Sequence, residues 1–524
     1  MRLSSALLFS SLLPLAAQTD VLTVHNDMAR TGQNLRETAL TTNNVNSATF
    51  GKLFQVKLDG LVDAEPLYVP GIPVSGQGTH NLLIVATEND SLYALDADTG
   101  AQLWKTALVP SGEAASADGA CTQILPQIGI TSTPAIAYNS GSLEGAVLAV
   151  AMSKDASGKF HHRLYKVNLT AGKTLAYVEI AARYPGTGAE TNGTDDIFRP
   201  GQYKERSGLL LLDSVVYLSW ASHCDRTPYT GWIMGYNANT LAQTTVINVT
   251  PNGESGGMWG SGAGLAADSD GYIYWAVGNG TFDTTLNAEG FPINGDFGNA
   301  FLKLSTAGNQ LSVADYFTMY NTNRESDGDR DLGSGGVLVL PDMTDANGLV
   351  RHLAIGAGKD GNIYLVDREN MGKFNPENNN AIYQELYGVL PGGIWSMPAY
   401  YNGRVYFGAV NGPIRAFQFS KALLSLTPVS NSSTVFPYPG ATPSISANGS
   451  ANAILWAVEN SSPAVLHAYA ANNLALELYN TDQAANGRDQ FGVGNKFMVP
   501  TIVNGKVYVG TPNGVAAFGL LNSQ

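Results

Sequence analysis

A run of alternating acidic residues is the first candidate for chemistry in this sequence. In "SDGDRD" (326–331), Asp327, Asp329 and Asp331 occupy every second position, which is the spacing of the first ligands in a Ca²⁺-binding loop. Such a loop needs glycine directly after its third acid, whereas Leu332 follows here. The run predicts a structural Ca²⁺ site at these three residues, with a solvated acidic turn as the alternative.

A second group of side chains could move a proton. Tyr203, Lys204 and Arg206 lie in "QYKERS" (202–207), and His223 begins the polar part of "SHCDRTPYTG" (222–231). Enzymes that eliminate uronic-acid glycans remove a sugar C5 proton with Tyr, His or Lys, while a cation neutralises the carboxylate. We assign this chemistry, if present, to the pair Arg206 and His223. The alternative is that His223 braces its loop and Arg206 pairs with an acid.

Other catalytic motifs are excluded or lack support. The segment "GAGKDG" (356–361) fits G-x-G-x-x-G, but it leads into the strand-like "NIYLVD", whereas a dinucleotide fingerprint must open a helix. It therefore predicts a hairpin turn. The sequence contains no C-x-x-C-H for covalent c-type haem and no zinc-spaced histidine cluster.

The elements that must position these residues are short strands. The stretch "NLLIVATENDSLYALDADTGAQLWKTAL" (81–108) holds three apolar runs separated by turn residues, and "AEPLYVPG" before it supplies a fourth run. Counted from Glu65, this unit recurs eight times, with an innermost strand opening each unit. After the first unit, the innermost strands are predicted at 132–138, 206–212, 261–267, 334–340, 396–401, 441–447 and 498–503.

The two ends of the chain complete the pattern. The last unit stops after its third strand, and "FGKLFQVKLDG" (50–60) provides the missing outer strand, which closes a ring and removes an exposed edge. The sequence predicts an all-β, eight-bladed propeller over 50–521, with seven blades as the alternative. Residues 18–49 should pack on the propeller. We expect His25, Asp27 and Arg30 in this segment to form a structural plug rather than a catalytic group.

The residues of the best unit resemble a known repeat. "SLYALDADTGAQLWK", with its Tyr-Ala-Leu-Asp, Asp-x-x-Thr-Gly and Leu-Trp, is similar to the repeat of the pyrroloquinoline-quinone (PQQ) propeller superfamily. That superfamily includes quinoprotein alcohol dehydrogenases and cofactor-free scaffolds. The segments "HNDMARTGQN" (25–34) and "ATPSISANG" (441–449) also look like those of exported PQQ-like repeat proteins.

The resemblance implies a bound PQQ, and usually Ca²⁺ beside a catalytic aspartate. Residues at the entries to the innermost strands could meet these needs: Trp259 and Trp395 for stacking, Lys204, Arg206 and Lys496 for carboxylates, and Glu65 and Asp331 for metal binding or catalysis. The sequence departs from the family dehydrogenases in one respect, because it lacks the vicinal Cys-Cys that they typically carry over the cofactor.

Strand direction places these residues on one face of the ring. Antiparallel strands bring the entry of each innermost strand and the loop between its second and third strands to the same side. These loops are long in blades 2, 3 and 4, and long loops on a rigid scaffold tend to carry function. Cys121 and Cys224 fall on this face too, which favours a disulfide over two unpaired thiols.

Composition and the N-terminal residues indicate where the protein is located and which classes of partner it can bind. The chain of 524 residues carries a net charge of −14, which disfavours nucleic acids and anionic membranes as partners. Residues 1–17 have one arginine, an apolar run and small residues near Ala17, which predicts a cleaved signal peptide and an exported protein. No later run is long enough for a membrane span. We expect a monomer that binds a small molecule or carbohydrate at one face.

Three functions remain open because the fold hosts many activities. The first is a PQQ-dependent oxidoreductase acting on alcohols or sugars, which leads on resemblance. The second is a non-catalytic binding scaffold. The third is a carbohydrate-active enzyme of the polysaccharide lyase type.

Overall fold

Turn residues between the apolar runs set the strand boundaries. In the first repeat, the Asp96 carboxylate accepts hydrogen bonds from the amides of Asp98 and Thr99 at 3.0 and 2.8 Å. Gly100 then takes a φ of +77°, which glycine adopts without steric cost. The turn joins the antiparallel strands Ser91–Asp96 and Gln102–Ala107, so the Asp-x-x-Thr-Gly signature builds a hairpin.

The computed structural model describes residues 19–117, 121–141, 143–260 and 262–521. Eight mostly four-stranded antiparallel sheets follow one another along the chain. The predicted eight-bladed propeller is confirmed, and the seven-bladed alternative is wrong. The predicted signal peptide at 1–17 lies outside the described residues.

Each blade runs from an innermost strand at the channel to an outer strand at the rim. The innermost strands are Leu67–Val74, Ala135–Asn139, Leu210–Leu212, Ala266–Ala267, Val337–Val339, Ala399–Tyr401, Ser444–Asn448 and Thr501–Val503. The second strands are Gly78–Thr87, Glu144–Asp155, Val215–Ser222, Ile273–Ala276, Leu353–Ala357, Arg404–Gly408, Ala451–Glu459 and Lys506–Thr511. The third strands are Ser91–Asp96, Phe160–Asn168, Trp232–Asn237, Ala300–Ser305, Ile363–Asp367, Ile414–Ser420, Val465–Ala470 and Gly514–Leu520. The outer strands are Gln102–Ala107, Thr174–Glu179, Gln243–Asn248, Ser312–Thr318, Gln384–Leu386, Leu423–Leu424, Asn473–Asn480 and Phe50–Lys57.

Short elements decorate the blades. The additional strands are Gln33–Asn34, Glu113–Ala115, Arg183–Pro185, Asp195–Ile197, Tyr203–Glu205, Met343–Thr344, Val350–Arg351 and Ser430–Asn431. The helices are the α-helix Thr322–Asp327 and the 3₁₀ turns Pro200–Gln202, Ala307–Asn309, Leu332–Ser334, Thr481–Gln483 and Ala485–Gly487. Within the described ranges, none of these helices has the length and apolarity needed to cross a membrane.

The N-terminal strand closes the ring, as predicted. Phe50–Lys57 pairs antiparallel with Gly514–Leu520, so that Phe50 lies opposite Leu520 and Lys57 opposite Gly514. The last blade therefore gains its fourth strand from the start of the domain. This closure leaves no open edge between the first and last blades.

Some innermost strands are shorter than the apolar pattern predicts. In blade 4 the regular strand is Ala266–Ala267 rather than 261–267, because Gly262 has a φ of +67°, outside the β region. In blade 3 the strand starts at Leu210, after Gly208 has paired with Gly264 of the neighbouring blade.

The hydrophobic core lies between blades. The largest cluster joins Tyr508 and Val515 of the last blade to Leu83 of blade 1 and Val147 of blade 2. Trp104, on the outer strand of blade 1, donates its indole N–H to the carbonyl of Leu169 in blade 2 at 3.1 Å. Each blade thus buries its faces only against its neighbours, as expected of a repeat architecture.

The segment 19–37 lies in the central channel and contacts all eight blades. Its backbone or side chains hydrogen-bond successive innermost strands through Val21–Tyr68, Leu22–Ile136, Arg30–Leu209, Met28–Ala267, Ala29–Val339, Thr31–Tyr400, Gly32–Ile445 and Asn34–Ile502. This segment, called the plug below, uses the free inner edges of the blades as its partners.

Two buried polar side chains hold the plug together. The guanidinium of Arg30 donates to the carbonyls of Leu265 and Val24, both at 2.8 Å. The imidazole of His25 contacts the carbonyls of Arg30 and Pro443 at 2.8 and 2.9 Å. These contacts give His25 and Arg30 structural roles inside the channel.

Candidate functional site

A disulfide joins two loops at the predicted mouth of the channel. Cys121, in the connection into blade 2, is bonded to Cys224, in the loop between the second and third strands of blade 3, with their Cα atoms 5.6 Å apart. The predicted pairing is confirmed. The ammonium of Lys204 lies 3.8 Å from the Cys121 sulfur, so the bridge is part of the mouth.

Gln123 lies two residues after this bridge and collects three cations. Its side-chain oxygen accepts hydrogen bonds from Lys204 and Arg206, both at 3.1 Å. Its backbone carbonyl accepts one from Lys496 at 3.3 Å. All three basic residues predicted to bind carboxylates therefore converge on the oxygen atoms of one residue.

A small cavity lies beside Gln123. It measures about 50 Å³, and its lining residues come from several blades: Gln123, Arg206, Asp225, Trp259, Asp331, Ser334, Lys359, Trp395 and Tyr438. Four of these, Arg206, Trp259, Asp331 and Trp395, belong to the residues that the sequence predicts for a site. We call this cavity with its lining the mouth site.

Aromatic rings and cations alternate around the mouth site. The guanidinium of Arg206 lies over the rings of Phe497 and Trp259, 4.8 and 5.6 Å from their centroids. The ammonium of Lys359 lies 5.8 Å from the Trp395 ring centre. Cation–π contacts of this kind hold the cations against the aromatic lining.

Asp331 and Lys359 form a buried ion pair in the mouth site. Lys359 Nζ lies 2.5 Å from Asp331 Oδ2, and Oδ1 accepts a hydrogen bond from the Asn279 amide at 2.6 Å. Burial raises the pKa of Asp331, although the ammonium of Lys359 opposes the rise. Burial alone would lower the pKa of Lys359, but the carboxylates of Asp331 and Asp329 outweigh it and raise the pKa.

The three alternating acids do not surround one metal position. Lys359 Nζ binds Asp329 Oδ1 at 2.6 Å as well as Asp331, while Asp327 ends the α-helix Thr322–Asp327. In the part of the chain that the structure describes, no group of three or more His, Cys, Asp or Glu is arranged to hold a metal ion. The ammonium of Lys359 therefore neutralises Asp329 and Asp331.

Of the pair proposed for proton removal, Arg206 lines the mouth site and His223 does not. His223 contacts the backbone carbonyl of Tyr203 at 3.1 Å. The phenol of Tyr203 donates to the buried carboxyl of Glu190, which also accepts from the Trp232 indole at 2.9 Å. Burial raises the pKa of Tyr203 well above its ordinary value, so this phenol stays protonated at neutral pH and cannot accept a proton from a sugar.

Glu65 contacts the plug instead of the mouth site. Its Oε2 accepts a hydrogen bond from the His25 amide at 2.7 Å, and Thr501 approaches Oε1 at 3.3 Å. Burial raises the pKa of Glu65 from 4.5 to about 8. The carboxyl is therefore mostly protonated at neutral pH and acts as a neutral hydrogen-bonding group.

This shift predicts a pH dependence of stability. The folded state keeps a proton on Glu65 that the unfolded chain loses above pH 4.5, so the contribution of Glu65 is complete below pH 4.5 and is lost as the pH rises to about 8. The glutamine side chain of Glu65→Gln has no proton to lose, so the stability of this variant should not show the decrease between pH 4.5 and about 8 that Glu65 causes. The difference in free energy of unfolding between wild type and Glu65→Gln should fall with pH by up to about 1.4 kcal/mol per unit.

Urea titrations at half-unit steps from pH 4.5 to 8.5 would measure this difference. Glu144→Gln, at an exposed glutamate on a blade edge, is the control and should give a flat difference. A flat difference for Glu65→Gln as well would show that Glu65 is not protonated in the folded state.

Sequence reasoning missed five residues of the mouth site: Gln123, Asp225, Ser334, Lys359 and Tyr438. Ser334 begins the innermost strand predicted at 334–340. Lys359 and Asp225 had a usable signal. They lie in loops between second and third strands, "GAGKDG" and "SHCDRTPYTG", which share the face of the other site residues. Gln123 and Tyr438 had none, because their positions depend on a disulfide and on a long connection between blades.

Solved structures show what this architecture is similar to. The quinohemoprotein alcohol dehydrogenase from Comamonas testosteroni superposes with a TM-score of 0.64 at 14% identity, covering 98% of this chain and 82% of that one. The quinohemoprotein alcohol dehydrogenase ADHIIG from Pseudomonas putida HK5 gives 0.62 at 14% identity, covering 97% and 81%. A europium-containing methanol dehydrogenase gives 0.62 at 13% identity, covering 96% and 98%. The chain shares the eight-bladed propeller fold of these dehydrogenases.

These likenesses extend over nearly the whole propeller but describe its fold alone, since identity is low. The sequence of the propeller matches no protein-family model and no curated protein. Its function must therefore be argued from the mouth site itself.

The mouth site offers the right chemistry for PQQ but little room. Cations suit the carboxylates of this cofactor and indole rings suit its planar rings, and both are present. Cavities that hold ligands of such size measure about 300–1,000 Å³, whereas the mouth site encloses about 50 Å³. A bound PQQ would have to displace Gln123 from the three cations that it contacts.

Proposed function

We propose that the protein is a quinoprotein oxidoreductase of alcohols or sugars that binds PQQ in the mouth site. The observation that carries this proposal is the convergence of Lys204, Arg206 and Lys496 on the two oxygens of Gln123. In our proposal, the carboxylates of PQQ would replace the side-chain oxygen and the backbone carbonyl oxygen of Gln123 as the partners of these three cations. Trp259 and Trp395 lie in the same lining.

Basic and aromatic residues would bind different parts of the cofactor. Lys204, Arg206 and Lys496 would bind the carboxylates, and the indoles of Trp259 and Trp395 would contact the ring system. When bound, PQQ supplies an electrophilic quinone that accepts a hydride from the carbon of an alcohol.

Asp331 would accept the hydroxyl proton of the substrate, because its carboxylate lines the mouth site and burial raises its pKa. Lys359 would hold this carboxylate in position through the 2.5 Å ion pair. The ammonium of Lys359 also supplies positive charge beside Asp331, so we expect binding without Ca²⁺.

The test is a PQQ titration of the mature protein and of Gln123→Ala, followed by cofactor absorbance and thermal stability. Ligand that binds the folded state raises the apparent stability. We expect saturable binding to both proteins, tighter in Gln123→Ala by about tenfold, and unchanged by EDTA. Failure of both proteins to bind PQQ would overturn the proposal and favour the non-catalytic scaffold.

A dye-linked assay of the loaded protein with alcohols and sugars then tests catalysis. Asp331→Asn should keep PQQ binding and lose activity, because its amide cannot take a proton. Equal activity in Asp331→Asn would assign the base elsewhere.

A further inference from the structure

A second, larger cavity lies on blade 5, apart from the mouth site. It measures about 430 Å³ and is formed by the α-helix Thr322–Asp327, the turn at 358–362 and the connection that leads into Gln384–Leu386. This volume is within the range of pockets that hold small ligands. We call it the blade 5 pocket.

Four carboxyl groups line the blade 5 pocket, those of Glu325, Asp360, Glu377 and Glu385, together with the guanidinium groups of Arg324 and Arg330. Asp360 accepts hydrogen bonds from Tyr364 at 2.5 Å and from Asn362 at 3.0 Å. Glu385 accepts one from Asn379 at 3.1 Å. These contacts fix the two carboxyl groups within the lining of the pocket. Glu325 is hydrogen-bonded through one of its two oxygens only.

The second oxygen of Glu325 lacks a hydrogen bond. Glu325 is 6% exposed, and Oε1 accepts a hydrogen bond from Asn321 at 2.5 Å. Its Oε2 has no hydrogen-bond partner among the described residues, and the Arg330 guanidinium lies 3.7 Å away. A buried carboxylate oxygen without a donor costs free energy, so a ligand that supplies an N–H would be stabilised here.

The rim of the pocket suits a ligand with hydroxyl groups. Tyr387 is 84% exposed and Tyr320 is 43% exposed, so both rings can pack against the apolar face of a sugar. The side-chain amides of Asn378 and Asn380 belong to the same lining and can exchange hydrogen bonds with hydroxyls. Aromatic faces beside amides and carboxylates form a polar, concave surface.

We propose that the blade 5 pocket binds a monosaccharide that carries a protonated amino group. Its ammonium group would donate to Glu325 Oε2 and face Asp360 and Glu385. Its hydroxyl groups would bond the asparagine amides. The lining has four carboxyl groups against the two guanidinium groups of Arg324 and Arg330, and this excess favours an amine over a neutral sugar, since a charged donor makes the stronger hydrogen bond to a carboxylate.

Saturation-transfer NMR and calorimetry with glucosamine, glucose and propylamine would test this binding. We expect glucosamine to bind at least tenfold more tightly than either of the others. Binding of glucose equal to that of glucosamine would remove the role of the ammonium group. Equal binding of propylamine would remove the role of the hydroxyls. No binding of glucosamine would overturn the proposal.

Two variants locate the site. Glu325→Gln should weaken glucosamine binding at least tenfold, whereas Asp327→Asn, on the same helix but outside the lining, should change it less than twofold. If Glu325→Gln melts at a lower temperature than wild type, Tyr387→Ala serves instead, because its ring is exposed. Unchanged affinity in both Glu325→Gln and Tyr387→Ala would place any binding elsewhere. PQQ binding to the mouth site is unaffected by either result.

Discussion

Arg206→Gln is expected to weaken PQQ binding by about 100-fold or more. The guanidinium of Arg206 is nearly buried, lies over Trp259 and Phe497, and donates to the oxygen that we expect a ligand carboxylate to replace. Removing one partner of a desolvated charge pair typically costs 2–5 kcal/mol, or roughly 30- to several-thousand-fold in affinity. The loss should appear in the dissociation rate.

The measurement is a PQQ titration of Arg206→Gln in both the wild-type and the Gln123→Ala background. Arg183→Gln, at an exposed arginine on the ribbon Arg183–Pro185, is the matched control and should bind as wild type does. Arg206→Lys should recover part of the affinity, because it restores the charge without the planar fork. Equal affinity for Arg206→Gln and Arg183→Gln would show that PQQ binds without this cation.

The fold could be predicted from the sequence because its signals are local and repeated. The turn "DADTG" forms its hairpin through the carboxylate of Asp96 and through Gly100, which are only a few residues apart. Ring closure by Phe50–Lys57 followed from counting, since the last unit lacked one strand. Neither inference required knowledge of how distant side chains meet.

The site could be predicted in part, for a different reason. Strand direction alone assigned Arg206, Trp259 and Trp395 to one face, and all three line the mouth site. Direction does not say how deep a side chain lies, however. Glu65 begins an innermost strand as these do, but it contacts the plug, a segment 40 residues away in sequence.

Charge partners were the least predictable feature. Asp329 and Asp331 have the spacing of metal ligands, yet both bind Lys359. This lysine comes from the next loop on the same face, and the sequence "SDGDRD" alone does not predict that contact. A compensating cation from a neighbouring strand is as good a partner for clustered acids as Ca²⁺, and only the tertiary structure separates the two.

Arg30→Met is expected to destabilise the protein by at least about 3 kcal/mol, because it removes a buried charge and its whole set of donors. Arg30 is 0% exposed, and its guanidinium donates to the carbonyls of Leu265, Val24 and Leu209. Burial lowers the pKa of Arg30 to about 10, so the group is still charged at neutral pH. Methionine has a similar length but leaves these buried carbonyls without donors, and each such loss costs about 1–3 kcal/mol.

Arg36→Met is the matched control, because Arg36 lies on the same segment, is 60% exposed and has a 3.9 Å contact with Asp20. We expect it to change the free energy of unfolding in urea by less than about 0.5 kcal/mol. Hydrogen exchange separates loss of the plug from general unfolding. The amides of Ala267, Val339 and Tyr400 donate to plug carbonyls, and in Arg30→Met they should exchange faster while the amides of the outer strands do not. If Arg30→Met matched Arg36→Met in both stability and exchange, the plug would be held by its backbone bonds to six of the blades, and the buried guanidinium would add nothing to them.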